Sequence, residues 1–168
     1  ENSQAPACCG VTVLSVDFND GSLGGMDATG NDQPVQWHAT NKRVYSEGGA
    51  ARFADPQSNS YSNPSEEGIV PPSQGTLTLR DVALPTGADL SASFQLWLDI
   101  ENVADYDLFY MEVHMEDSVV TVWSKEELSL DQYQDWTLVK VDLSDYAGQT
   151  VNLAFVVDTI DGTVNYTP

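Results

Sequence analysis

The sequence predicts an all-β protein, a two-sheet antiparallel sandwich of about nine strands, and three observations carry that expectation. First, residues 89–115 alternate with a period of two. Phe94, Leu96, Leu98 and Ile100 are interleaved with Ser93, Gln95, Trp97 and Asp99, and then Phe109, Met111, Val113 and Met115 with Tyr110, Glu112 and His114. Second, short β-rich segments recur at hairpin-like spacing with Gly, Pro, Asn and Asp between them. Third, the chain holds no amphipathic helix of useful length and no internal repeat.

Residues 1–10 read as a flexible polar leader with Pro6 and the adjacent pair Cys8-Cys9, and residues 11–168 as one domain. Residues 11–18 form the first expected strand, with Thr12, Leu14, Val16 and Phe18 on one face and Val11, Val13, Ser15 and Asp17 on the other. Its first half is apolar on both sides, so something must cover both faces. Residues 19–34, rich in Gly, Asp and Asn, read as a long loop. Short strands follow at 35–39, with Trp37, and at 50–54, after the Gly48-Gly49 turn. Residues 55–74 carry four prolines and form a loop long enough to be functional.

A strand at 76–82 leads through Pro85-Thr86-Gly87 into the two long alternating strands. Pairing those two through the acidic turn 101–105 gives one continuous apolar sheet face, and the opposite face carries Trp97, Tyr110, Glu112 and His114. Segments 119–123, 136–143 and 150–157 complete the set. Residues 142–148 suit one helical turn capped by Ser144 or Asp145.

A chain of 168 residues can bury about 70% of its unfolded surface around one core, so disulfide staples are not obligatory. No apolar run approaches the roughly 20 residues that span a bilayer, and the start at Glu1 rather than Met suggests a processed or excised form. Six basic against 26 acidic side chains leave a net charge of −20, which repels nucleic acid and anionic membrane surfaces. The acids are scattered, which suits a solvated shell and equally a few chelating a hard divalent cation.

Several motifs, in order, resemble the MAM-like jelly-roll modules of secreted bacterial proteins, such as those accompanying immune-inhibitor-A-type metallopeptidases and glycan-degrading enzymes. They are Asp17-Phe-Asn-Asp-Gly, Trp37-His-Ala-Thr-Asn-Lys-Arg43, Phe53-Ala-Asp-Pro56, Gly75-Thr-Leu-Thr-Leu79, Phe94-Gln-Leu-Trp97, Tyr106-Asp107 and the run from Asp142 to Val151. The likeness covers about residues 11–162. It implies a two-sheet jelly roll without catalytic activity, used for glycan or protein binding and often holding a structural Ca2+. By position, Asp17, Asn19, Asp55 and Asp158 are its expected ligands. The family usually closes with a further apolar strand after the segment matching 158–162, whereas this chain continues only to Pro168, so the sandwich is expected to lack its final strand.

Catalytic patterns are absent. There is no Gly-x-Ser-x-Gly elbow, and His38 and His114 alone make neither a zinc site nor a triad. An enzyme is not expected. Aromatic platforms that stack on sugar rings, with carboxylates for hydroxyls, would suit Trp97, Tyr110, Glu112 and His114; burial under a loop or a neighbour would explain them equally. Cys8 and Cys9 can bridge to each other only through a strained ring, because neighbouring Cα atoms are closer than a disulfide prefers. In an oxidising compartment they bridge so, pair with another copy, or stay free. The Asn165-Tyr-Thr sequon is a candidate glycosylation site.

Together these readings predict an extracellular or cell-surface structural protein, a filament or surface-layer subunit whose partners are other copies of itself. Cys8, Cys9, Val11, Val13 and Leu14 would join one subunit to the next by strand addition or disulfides. The leader also resembles the connectors of bacterial endospore appendage subunits. The alternative is a carbohydrate-binding or adhesion module of a larger secreted protein.

Overall fold

The structure, a computed structural model, describes residues 12–30, 34–61, 72–87 and 89–160. Within them run nine strands: β1 (Asp27–Gly30), β2 (Gln36–Thr40), β3 (Ala50–Ala54), β4 (Gln74–Ala83), β5 (Ser91–Trp97), β6 (Leu108–His114), β7 (Val119–Ser124), β8 (Trp136–Asp142) and β9 (Thr150–Asp158). Every pairing is antiparallel. One layer is a five-stranded sheet in the order β1-β4-β9-β6-β7; the other consists of two separate ribbons, β2-β3 and β5-β8. The fold is an all-β sandwich, as the period-two pattern required.

The core lies between the layers. From the large sheet it takes Phe109, Met111 and Val113 of β6 and Val151, Leu153 and Val157 of β9, with Phe109 opposite Val157 and Val113 opposite Leu153. Val139 and Val141 of β8 close over them, with Phe94 of β5 opposite Val139. The Phe94 ring spans the gap, 5.0 Å from Phe155 and 5.6 Å from Trp123, both edge to face. Each such side chain contributes roughly 1.5–3 kcal/mol of burial. The β2-β3 ribbon adds the opposed pair Trp37 and Phe53, which rest on Gly75 of β4; a Cβ at Gly75 would collide with the Phe53 ring.

Three expectations are corrected. Residues 12–18 make no strand, and Val13 and Leu14 are 58% and 50% exposed. Instead Asp27–Gly30, within the expected loop, forms β1. The reason is local: Asp17 and Asp20 accept backbone N–H bonds from Asn19 and Ser22, and Phe18 turns left-handed at φ 57°. The chain therefore leaves extended geometry before it can pair. β1 is then held at the edge of β4, with an Asp27–Arg80 ion pair beside the ladder.

The second correction concerns β5 and β6, which do not pair. β5 pairs β8, while β6 lies between β9 and β7, so residues 98–107 carry the chain from one layer to the other. The two apolar faces meet across the interior rather than side by side, which buries each against another layer. The third is smaller. The turn Ser144–Tyr146 has Leu143 at its N-cap, without a side-chain cap, in place of Ser144 or Asp145, and Asp142 Oδ1 accepts Ser144 N at 2.9 Å beside it. Cys8, Cys9, Val11 and Asn165 lie outside the described residues, as does everything after Ile160.

Candidate functional site

The β5-β8 register sets Trp97 directly opposite Trp136 on the face turned away from the core. Their rings meet edge to face at 5.8 Å. The loop between β2 and β3 folds over this end of the ribbon and brings two more residues. Tyr45 stands 5.7 Å from Trp136, again edge to face, and is 59% exposed. The Arg43 guanidinium carbon sits 4.6 Å above the Trp97 ring, a cation–π contact.

Glycine is what lets the loop close here. A side chain at Gly49 would strike the Phe18 carbonyl, and Gly48 has φ 127°.

Polar groups border the rings. Asp99, just past β5, has one carboxylate oxygen 3.3 Å from Arg43 Nη1, while the other accepts Gln134 Nε2 at 2.8 Å. Gln134 is itself anchored, its N–H donating to Leu98 O at 2.9 Å. Leu138 on β8 and Leu130, at 63% and 70% exposure, extend the apolar surface. Trp97 Nε1 is buried without a partner among the described residues, as is Trp37 Nε1.

These residues belong to a cleft of about 990 Å³ that runs between the two ribbons. All five residues of β3 line one side and Ser93–Trp97 the other, with Val16, Asp17 and Phe18 also on its wall. Arg52 enters from β3 and donates to Asn59 O; burial, and next the Arg43 charge, draw its pKa below the usual arginine range. Tyr61, also on the cleft wall, donates to Asp107 Oδ2 at 2.9 Å. Burial first, then Asp107, pushes the Tyr61 phenol far above its ordinary value, so it remains a donor.

The expected glycan set is divided. Trp97 is in the aromatic group, but Tyr110, Glu112 and His114 stand on the outer face of the five-stranded sheet, in the other layer. There His114 Nε2 and Glu112 Oε2 are 2.7 Å apart. The separation follows from the β5–β6 crossover. Sequence reasoning missed Tyr45, Trp136, Arg43, Asp99 and Gln134; the available signal was a Trp at the start of an alternating segment, but its neighbour is set by strand pairing.

Three of the expected calcium ligands, Asp17, Asp55 and Asp158, make local hydrogen bonds. Asp17 accepts Asn19 N at 3.1 Å. Asp55 accepts Gln57 N at 2.8 Å and Ser58 Oγ at 3.0 Å. Asp158 accepts Ile160 N at 2.9 Å and bonds Gln74 on the large sheet. Among the described residues no three His, Cys, Asp or Glu side chains form a metal-sized cluster. Each of the three carboxylates accepts a backbone N–H within its own turn.

No protein-family model and no curated protein matches this sequence. A solved structure, reported as the structural basis for the promiscuous specificity of the carbohydrate-binding modules from the β-sandwich superfamily, is similar, with a TM-score of 0.55 at 16% identity over 88% of this chain. This chain spans 55% of that structure's length. The likeness shows a β-sandwich fold. No helix among the described residues is long and apolar enough to cross a membrane.

Proposed function

We propose that this chain is a carbohydrate-binding module, an extracellular binding unit without catalysis, which takes a neutral polysaccharide on the Tyr45, Trp97 and Trp136 surface. One observation carries the reading: an aromatic cluster, with Tyr45 exposed and Trp97 and Trp136 half-buried, beside which Arg43, Asp99 and Gln134 are held by mutual contacts. Pyranose rings offer apolar C–H faces that stack on such rings, and their hydroxyls need the donors and acceptors that an amide, a carboxylate and a guanidinium supply. The fold similarity to a carbohydrate-binding module supports the same class. The net charge of −20 disfavours polyanionic glycans.

Affinity electrophoresis through gels containing neutral glucans, xylans or mannans tests it. Trp136→Ala and Tyr45→Ala should each weaken retardation about tenfold, or 1.4 kcal/mol. Tyr110→Ala and His114→Ala should leave it unchanged. Migration unaffected by every such polysaccharide would sink the proposal.

A second reading, assembly by strand addition, has its own support. Among the described residues β3 and β5 each pair on one side only, and both strands line the cleft. Unpaired strand edges are templates for another strand. Residues 12–18, β-branched and exposed in part, are outside any ladder. In this reading the N-terminal stretch of a second copy completes the split layer.

A further inference from the structure

Lys125 is among the most buried side chains of the molecule, at 2% exposure. It lies at the start of the 3-10 turn Lys125–Glu127, directly after β7. Its Nζ enters the layer-crossing loop and donates to three backbone carbonyls: Glu101 O at 2.6 Å, Val103 O at 3.0 Å, and Tyr106 O. An ammonium has three N–H groups, and all three are used.

Carboxylates near this ammonium offset part of the cost of burying it. Burial lowers the Lys125 pKa, while Asp107, Glu101 and Glu126 act in the opposite direction. The Asp107 carboxylate braces the loop from behind, one oxygen accepting both the Glu101 N–H at 3.2 Å and the Tyr61 hydroxyl. Asp105 and Asp107 are held left-handed, at φ 69° and 45°. Such backbone costs of order 1 kcal/mol or more per residue and persists only where the surroundings impose it. Three carbonyl oxygens converging on one point would repel one another without a cation between them.

We propose that residues 101–107 form a cation cage selective for an ammonium-sized monovalent ion, and that Lys125 is the tethered cation that fills it. Neutral carbonyls as the direct acceptors favour a single charge over a divalent metal, whose sites also draw on carboxylates. The cage has a consequence for the aromatic surface, and this part rests on the carbohydrate-binding reading. Asp99 lies two residues before the loop and holds Arg43 over Trp97. Lys125 is therefore a positioning residue for that surface, although it takes no part in binding itself.

The unchanged protein offers the first test. The Lys125 ammonium should give a slowly exchanging nitrogen-15 resonance at neutral pH, with hydrogen-bond coupling to carbonyl carbons of the loop. A rapidly exchanging lysine overturns the cage without any variant. Lys125→Met, which keeps the stem and removes the charge, should speed amide exchange at residues 101–107 about tenfold or more. Lys125→Ala should regain protection in ammonium chloride but not in tetramethylammonium chloride, whose ion is too large; equal effects of the two salts overturn the proposal. Retardation by a neutral polysaccharide should fall with Lys125→Ala and return with ammonium. Protection restored without retardation overturns the positioning role. If the unchanged protein binds no polysaccharide, the carbohydrate reading fails, while the exchange data still decide the cage.

Discussion

Asp55 shows how much of this molecule is settled by single carboxylates in turns. It is 8% exposed, and its charge is held by the Gln57 N–H first and by the Ser58 hydroxyl, which together draw its pKa below the usual carboxylate range. A group with a depressed folded pKa contributes stability that is complete above the unfolded value, about 3.9, and is lost as pH falls through the folded one. Asp55→Asn should thus be less stable than the parent at pH 7. The gap should narrow below pH ~4, once the parent's carboxylate is protonated too. Urea melts across that range measure it, and a gap that stays constant down to pH ~2 would refute the assignment. The turn-forming role of such residues is readable in sequence, since Asp and Asn next to Ser, Gly and Pro cap their own backbone. A shared role as metal ligands is not, because it depends on how far apart the turns end up.

At the scale of elements, alternation reveals which residues share a face but not which strand lies alongside. Phe94, Leu96, Phe109, Met111 and Val113 are all inward, as their period requires, yet β5 and β6 occupy different layers. For that reason Trp97 was legible as an aromatic on a polar face while its companions Trp136 and Tyr45 were not. The attachment of the β2-β3 ribbon depends on one missing side chain. Gly75 lies under Phe53 and Trp37, and a Cβ there would enter the Phe53 ring. Gly75→Ala should cost about 1–3 kcal/mol in urea denaturation, the range for overpacking, and should alter the Trp fluorescence of the folded state. An unchanged midpoint would show that the ribbon yields without loss.

For the whole molecule, the split second layer links the two functional readings. The cleft that carries the aromatic surface is also bounded by two strands, β3 and β5, that pair on one side only among the described residues. If the N-terminal stretch of a second copy enters it, non-reducing electrophoresis of the oxidised protein should show ladders. These should collapse with reductant or on changing Cys8 and Cys9 to Ser, and a purely monomeric chain in oxidising buffer would remove the assembly reading. Composition and periodicity alone determined the all-β sandwich, the inward-facing residues and the strongly negative net charge, because side-chain alternation and net charge are local or additive properties of the chain. Only the tertiary structure decided that β5 and β6 separate, that Trp97, Trp136 and Tyr45 meet, and that Lys125 fills a ring of carbonyls. Each of these joins residues far apart in sequence, and which distant partners meet depends on how two apolar faces are best buried, a competition no single segment contains.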